Sequence, residues 1–235
     1  MQITRANLIN SITIKFLMVF TCGLDEAGRG PVIGPLVICG VLANEEQEKQ
    51  LMELGVKDSK MLTPVRRERM FDRIKSIVEK YEIIVIEPKE IDEAVGKKDG
   101  LNLNWLEAEK SVEIINKLKP FQAIIDCPSN NIRQYTDYVK SRLKTNAIII
   151  AEHKADQTYP IVSAASILAK VTRDDLIQEI KKKYKIEFGS GYMSDPMTQI
   201  FIKNNWNKFP IFRTSWESYK ELLRGKSQTK LFQDE

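Results

Sequence analysis

A short apolar run, a helical segment and a second apolar run follow one another between residues 121 and 151. This succession constrains the fold more than any other feature of the chain. The apolar runs 121–126 and 147–151 have the length and composition of buried strands, and 132–143 between them has helical spacing. Such a succession predicts a right-handed crossover, which places the two strands side by side and parallel. The chain is therefore predicted to contain an α/β sheet.

Other segments continue this alternation. One further helix is predicted to begin with Thr63 as its N-cap and Pro64 at its first position. The other predicted elements are strands at the end of the run 16–24, at 37–41 and at 81–87, and helices at 103–118 and 160–184. Together they predict a mixed sheet flanked by helices.

The chain is expected to divide into three parts. Residues 1–17 carry Arg5 and Lys15 among mixed residues, and we expect a loosely docked extension or an upstream start before a natural beginning at Met18. Residues 18–187 are predicted to form the α/β core. Residues 188–235 change to shorter, aromatic-rich segments and predict a helical C-terminal extension.

Charge and cysteine content narrow the class of protein. The formal net charge of +4 is compatible with nucleic-acid binding without demonstrating it. Cys22, Cys39 and Cys127 are odd in number and far apart, which argues against a disulfide scaffold or a structural zinc site. No uncharged apolar run is long enough to span a membrane. We therefore expect a cytoplasmic protein, and a monomer because no segment looks like a dedicated interface.

Four acidic residues recur where predicted strands end. Asp25 and Glu26 end the first strand, Asp126 ends a central one, and Asp156 follows another. Ligands commonly bind at this edge of an α/β sheet, although adjacent strand residues such as Asp25 and Glu26 share a site only if the chain bends. Oxygen ligands suit Mg²⁺ or Mn²⁺, and a pair of such ions cleaves phosphodiesters in many nucleases.

A glycine-rich turn follows the first two acids. Gly28 and Gly30 allow the backbone to approach a ligand closely and make a bend possible, and Arg29 between them suits phosphate recognition. The sequence thus predicts a metal site beside a phosphodiester.

Several motifs in one order resemble the ribonuclease HII family, and most closely its archaeal form. They are DEAGRGP at 25–31, KDSK at 57–60, AEHKAD at 151–156, VSAAS at 162–166 and GSGYMSDP at 189–196. The resemblance extends from about residue 21 to 216. It implies a ribonuclease H-like fold, hydrolysis of RNA in RNA–DNA hybrids, and cutting 5′ of single ribonucleotides embedded in duplex DNA. It also implies a two-metal reaction with Mg²⁺ or Mn²⁺ that leaves 5′-phosphomonoesters.

The resemblance also implies residue roles. Asp25, Glu26, Asp126 and Asp156 correspond to the family's catalytic, metal-binding acids, although IIDCPS around Asp126 is a weaker motif. Gly28, Arg29 and Gly30 correspond to the element that reads the junction between ribonucleotide and deoxyribonucleotide. Tyr192 corresponds to the tyrosine that packs on the neighbouring sugar, and Met193 replaces the proline that usually follows it.

Four further residues are weaker candidates for phosphate contacts. They are Lys60, Lys154, Ser163 and Ser166, although lysines often only solvate a surface and serines near a helix start often satisfy its backbone. His153, the single histidine, is expected to be structural or to lie outside the site. The tail from Gln228 begins like a sliding-clamp motif but has Asp234 and Glu235 where aromatic residues belong.

Two alternatives remain open from the sequence. One is another nuclease of the ribonuclease H-like superfamily, with ribonuclease HIII the nearest relative to exclude. The other is a non-catalytic nucleic-acid-binding protein, for which clustered acids are a poor choice because without metal they repel phosphate.

Overall fold

A single mixed sheet of five strands forms the centre of the described structure. The structure, a computed structural model, describes residues 19–56, 63–96 and 101–231. The strands are β1 Thr21–Ala27, β2 Leu36–Ala43, β3 Lys80–Ile86, β4 Gln122–Asp126 and β5 Ile148–Glu152. Their order in the sheet is β3-β2-β1-β4-β5. β1, β4 and β5 are parallel, and β2 and β3 are antiparallel additions, so the predicted parallel crossover and mixed sheet are confirmed.

Nine helices surround the sheet within the described ranges. They are α1 Glu45–Leu54, α2 Pro64–Ile77, α3 Pro88–Val95, α4 Leu103–Leu118, α5 Ile132–Arg142, α6 Ala155–Thr158, α7 Pro160–Tyr184, α8 Pro196–Asn205 and α9 Glu217–Leu231. The predicted start of α2 is confirmed, because the Thr63 hydroxyl accepts a hydrogen bond from the amide of Arg66. The predicted bounds of α4 and α7 agree with the structure.

Two apolar layers lie on opposite faces of the sheet. Alternate β1 residues such as Cys22 and Leu24 pack towards α4 and α5. The other face packs on α7 and α2, and Gly23 permits the closest approach. A Cβ at Gly23 would lie 2.5 Å from the carbonyl carbon of Ile161, so α7 lies directly on β1.

A third apolar cluster joins the C-terminal part to the turn after β1. Val32 and Ile33 pack there with Phe188, Phe212 and Tyr219. Residue Ile33 also forms an isolated antiparallel bridge with Phe212. The proposed boundary at residues 187 and 188 stays a prediction, but the two parts share this packing.

The cysteines and the helices bear on the class of protein. All three cysteines are buried and free. No helix within the described ranges has both the length and the apolar character of a membrane span. The extension 1–17 and Lys60 lie outside the described residues.

Candidate active site

Three carboxylates meet at one edge of the sheet. Asp25 near the end of β1, Asp126 at the end of β4 and Asp156 in α6 each offer an oxygen, and these oxygens lie within 4.8 Å of one another. Parallel pairing of β1 with β4 brings the first two together. The turn at Lys154 (φ 59°) leads from β5 into α6 and supplies the third. The structure therefore brings together three of the four predicted acids as one group.

Burial and mutual repulsion raise the pKa of two carboxyls of this group, Asp25 and Asp126. Asp25 and Asp156 are only 8% and 7% exposed. Burial raises the pKa of Asp25 to about 7, against the lowering effect of a hydrogen bond from Ser166, and the charge of Asp126 raises it further. The pKa of Asp126 is raised by burial and by the charge of Asp156. Closely spaced buried carboxylates of this kind fit a divalent cation that offsets their charge.

Glu26 lies beside this group rather than within it. β1 continues through Asp25 and Glu26 to Ala27, and the chain turns only at Gly28. The predicted bend therefore comes after both acids. Consecutive strand residues leave opposite faces, and Glu26 accordingly lies near Glu107 of α4. Burial, then the negative charges of Glu107 and Asp25, raises the pKa of Glu26 well above its usual range. Its role as a metal ligand stays a prediction.

The Arg29 side chain is held by α4. One guanidinium nitrogen pairs with the buried carboxylate of Glu107, and another donates to Asn104 Oδ1 at 2.6 Å. Burial raises the pKa of Glu107 to about 7, against the lowering effect of Arg29. The phosphate contact predicted for Arg29 would therefore have to compete with this pairing. Glu107 gave only a faint sequence signal, an acid on the apolar side of a helix.

Arg213 holds the glycine turn from the other side. Its Nη2 donates to the Gly28 carbonyl at 2.7 Å, its Nη1 to Arg29 at 3.1 Å, and its Nε to Gly34 at 3.0 Å. The side chain is fully buried, and its pKa is lowered to about 9 by burial and by the charge of Arg173. No sequence signal connected Arg213 with a turn about 180 residues earlier.

Tyr192 stands against the same turn. A Cβ at Gly30 would lie 3.3 Å from the Tyr192 ring, which is itself 40% exposed. The guanidinium of Arg173 lies 5.8 Å from the ring centroid. Arg173 is 6% exposed, and its Nε and Nη2 are buried without a hydrogen-bond partner among the described residues. These residues line a cleft of about 400 Å³ that also includes Lys170 and Ser190.

The two serines of α7 have different positions. Ser163 is fully buried, and its hydroxyl donates to the backbone carbonyl of Asp156. A phosphate contact of Ser163 would therefore have to compete with this hydrogen bond, and it stays a prediction. Ser166 instead reaches the carboxylate group through Asp25.

Lys154 and His153 lie at the turn before α6. The Lys154 amide donates to Asp126 Oδ1 at 2.9 Å while its side chain is exposed. His153 Nδ1 lies 3.0 Å from the carbonyl oxygen of Cys127, which fits the predicted structural role. Lys154 is thus placed to orient a carboxylate through its backbone, and its contact with phosphate stays a prediction.

Metal binding at this group is expected to strengthen as the pH rises. In the metal-free fold the raised pKa lets Asp25 keep its proton until about pH 7, far above the ordinary pKa of 3.8 that is expected in the unfolded chain. This raised pKa stabilises the metal-free fold most below the unfolded value, and up to about 4 kcal/mol is lost as the pH rises through the folded value. Since a metal needs the ionised carboxylate, Mg²⁺ should raise Tm more at about pH 8 than at about pH 6.

Calorimetry in EDTA and in Mg²⁺ measures this difference. Asp25→Asn should shrink the dependence of the Mg²⁺ effect on pH. An equal Mg²⁺-induced shift of the wild type at both pH values would contradict the expectation.

Comparisons with known proteins agree with this geometry. A sequence profile described as Ribonuclease HII matches residues 22–219. The ribonuclease HII of Pyrococcus horikoshii is 45% identical over 206 residues, which cover 85% of this chain and 91% of that protein. The crystal structure of the ribonuclease H2 from P. horikoshii matches with a TM-score of 0.79 and 44% identity, over 87% of this chain and 97% of that one. The ribonuclease HII in a complex with PCNA from Archaeoglobus fulgidus matches with a TM-score of 0.77 and 39% identity, over 85% and 96% of the two chains.

Proposed function

The chain belongs to the ribonuclease HII family, and we propose that it cuts 5′ of a single ribonucleotide embedded in duplex DNA. It is an endoribonuclease with ribonuclease H activity. Hydrolysis of the RNA strand in longer RNA–DNA hybrids, with 5′-phosphomonoester products, is part of the same proposal. The observation that carries it is the group of three carboxylates beside the glycine turn.

The acids supply the hydrolytic half of the site. We propose that Asp25, Asp126 and Asp156, assisted by Glu26, hold two Mg²⁺ or Mn²⁺ ions. Such ions, when bound, activate water and stabilise the charge that develops on the phosphate oxygens. The chain keeps the carboxylates in place through the hydrogen bonds from Ser166 to Asp25 and from the Lys154 amide to Asp126. An oxygen-only donor set favours these hard ions over zinc.

The glycine turn supplies the recognition half. A backbone group of this turn can contact a 2′-OH, which is the group that distinguishes RNA from DNA. Arg213 fixes the carbonyls of Gly28 and Arg29, so the turn offers its remaining surface in one conformation. Tyr192, packed against Gly30 and 40% exposed, has room to contact the neighbouring sugar.

Basic residues in the cleft beside Tyr192 would hold the backbone of the substrate. The two unpartnered nitrogens of Arg173 are suited to a phosphate, because a buried donor without a partner is costly. Lys170 lines the same cleft and has an exposed side chain. We assign both to the substrate backbone, together with Lys154 in the turn before α6.

A panel of three duplexes tests this function. They are duplex DNA with one ribonucleotide, a long RNA–DNA hybrid, and the same duplex made only of DNA, each incubated with Mg²⁺ or Mn²⁺. We expect a cut 5′ of the single ribonucleotide, cuts within the hybrid RNA, and an intact all-DNA duplex. Cutting of the hybrid alone would indicate a different ribonuclease H type, and binding without cutting would favour the non-catalytic alternative.

Gly28→Ala should lower cleavage of the single-ribonucleotide duplex by about a hundredfold, because the reading turn is displaced. Gly28 has φ 89°, and an added Cβ would lie 2.6 Å from Arg173 Cδ and 2.8 Å from the Pro35 carbonyl oxygen. Gly55→Ala is the matched control, since Gly55 has φ 81° and no described heavy atom within 4 Å of such a Cβ. It should cost about 1 kcal/mol of stability and leave cleavage unchanged. Equal effects of the two variants on kcat/KM would contradict a role for the turn.

Contact with a sliding clamp is a separate proposal. The A. fulgidus relative forms a complex with PCNA. In this chain residues Gln228–Leu231 lie in α9, and Asp234 and Glu235 lie outside the described residues. A pull-down with the cognate clamp, using the full chain and a chain lacking residues 228–235, tests the contact. No retention of the full chain would remove the proposal.

A further inference from the structure

One carboxylate outside the group of Asp25, Asp126 and Asp156 is bound by four donors. Asp92 of α3 accepts hydrogen bonds from the amide and hydroxyl of Thr214, at 2.8 and 2.7 Å, through Oδ2. Its Oδ1 accepts from the amide and hydroxyl of Ser215, at 3.0 and 2.5 Å. Both oxygens of one side chain thus fix two consecutive residues of a loop that lies more than 120 positions away in sequence.

The residue immediately before this fixed pair is Arg213. Its guanidinium binds three carbonyls of the turn after β1, and its own amide donates to the Val32 carbonyl at 2.8 Å. The guanidinium also lies 5.0 Å from the ring centroid of Trp216, the residue that follows Ser215 in the chain. Displacement of residues 214 and 215 would therefore shift the backbone of Arg213 and move its guanidinium relative to the glycine turn.

Helix α3 is a firm support for this contact. Pro88 and Ile91 are buried on its inner side, and Glu90 pairs with Lys110 of α4 at 2.8 Å. The same α4 carries Asn104 and Glu107, which hold the Arg29 side chain. Helices α3 and α4 therefore hold the turn at two points. α3 fixes the loop of Arg213, which binds the backbone carbonyls of the turn, and Glu107 of α4 binds the Arg29 side chain.

We propose that Asp92 is a positioning residue for ribonucleotide recognition, which acts by fixing the loop that carries Arg213 and through it the glycine turn. The inference rests on the proposed function. A hydrogen bond to a 2′-OH requires its partner to be positioned within a few tenths of an ångström. A misplacement of about 1 Å can lower the reaction rate about a hundredfold. Asp92 is not one of the three clustered carboxylates and binds only loop residues Thr214 and Ser215 among its described hydrogen-bond partners, so its loss should weaken recognition more than the chemical step.

Kinetics on the single-ribonucleotide duplex test this role. Asp92→Ala should raise KM about tenfold, a partial loss of positioning, and change kcat by less than about threefold. Glu93→Ala, an exposed neighbour on the same helix, is the matched control and should change neither constant. Asp92→Asn should raise KM less than Asp92→Ala does, because the amide oxygen of asparagine still accepts hydrogen bonds while its NH₂ group cannot. Ser215→Ala, which removes one hydroxyl only, should give a smaller rise and covers the case in which Asp92→Ala does not fold.

A double-mutant cycle with Arg213→Lys separates positioning from packing. If Asp92 acts through Arg213, Asp92→Asn should change KM much less in the Arg213→Lys background than in the wild type. Equal changes in both backgrounds would overturn the inference, as would a lower Tm of the Asp92 variants with unchanged KM. If the wild type cuts the duplex and KM does not respond to Asp92, only this inference fails. If the wild type does not cut it, the proposed function fails first and the inference falls with it.

Discussion

Asp126→Asn should reduce metal-dependent cleavage about a thousandfold or more, because a carboxylate contributes several kcal/mol through a metal of the kind we propose Asp126 to hold. The variant keeps the oxygen that accepts from the Lys154 amide at 2.9 Å. It removes one negative charge from the group with Asp25 and Asp156. The fold should persist, since burial and the charge of Asp156 already disfavour the ionised form of Asp126.

A neighbouring acid provides the control for this prediction. Glu152 pairs with Asp126 across β4 and β5, but its carboxylate accepts from the Tyr159 hydroxyl at 3.0 Å and is outside the group of three. Glu152→Gln should retain cleavage within a few-fold. The assignment of Asp126 would be wrong if Asp126→Asn, folded by circular dichroism, cut at the wild-type rate.

Arg213→Met should lower the free energy of unfolding by about 4 kcal/mol, because each hydrogen bond from a charged donor contributes about 1.5 kcal/mol or more. The substitution leaves the carbonyls of Gly28, Arg29 and Gly34 without the donor that binds them. Since Gly28 and Arg29 belong to the turn that we propose reads the ribonucleotide, cleavage of the single-ribonucleotide duplex should also fall, beyond what the unfolded fraction explains. Chemical denaturation and kinetics at a temperature where the variant is folded measure the two losses.

Exposed and conservative variants complete this test. Arg133 is exposed on α5, and Arg133→Met should change neither stability nor cleavage appreciably. Arg213→Lys keeps the charge and at least one donor but loses the planar guanidinium. Its free energy of unfolding and its cleavage rate should therefore lie between those of the wild type and Arg213→Met. Full activity of Arg213→Met would show that the turn keeps its conformation without this support.

The sequence predicted those parts of the fold that depend on local pattern. The crossover from 121 to 151, the bounds of α4 and α7, and the Thr63 cap all follow from apolar spacing and capping chemistry. The meeting of Asp25, Asp126 and Asp156 was predictable too, because ends of parallel strands share one edge of a sheet.

The parts that were missed depend on contacts between distant segments. Arg213, Arg173 and Asp92 act on residues far away in sequence, and nothing in their immediate surroundings indicates a partner. Ser163 was given a phosphate role because it lies near a helix start, and its hydrogen bond to the Asp156 carbonyl was not foreseen. Glu26 lies on the opposite face of the sheet from Asp25 because β1 continues to Ala27. The glycines at 28 and 30 had suggested an earlier bend.

Titration of metal-free protein with Mn²⁺ tests whether the carboxylates form a catalytic metal centre, with bound Mn²⁺ followed by electron paramagnetic resonance and cleavage of the single-ribonucleotide duplex followed in the same samples. We expect no cleavage in EDTA, a rise of binding and cleavage over the same Mn²⁺ range, and a shift of both to higher Mn²⁺ in Asp126→Asn. Cleavage without metal, or Mn²⁺ binding and cleavage unchanged in Asp126→Asn, would contradict the claim that this group of carboxylates is the catalytic metal centre.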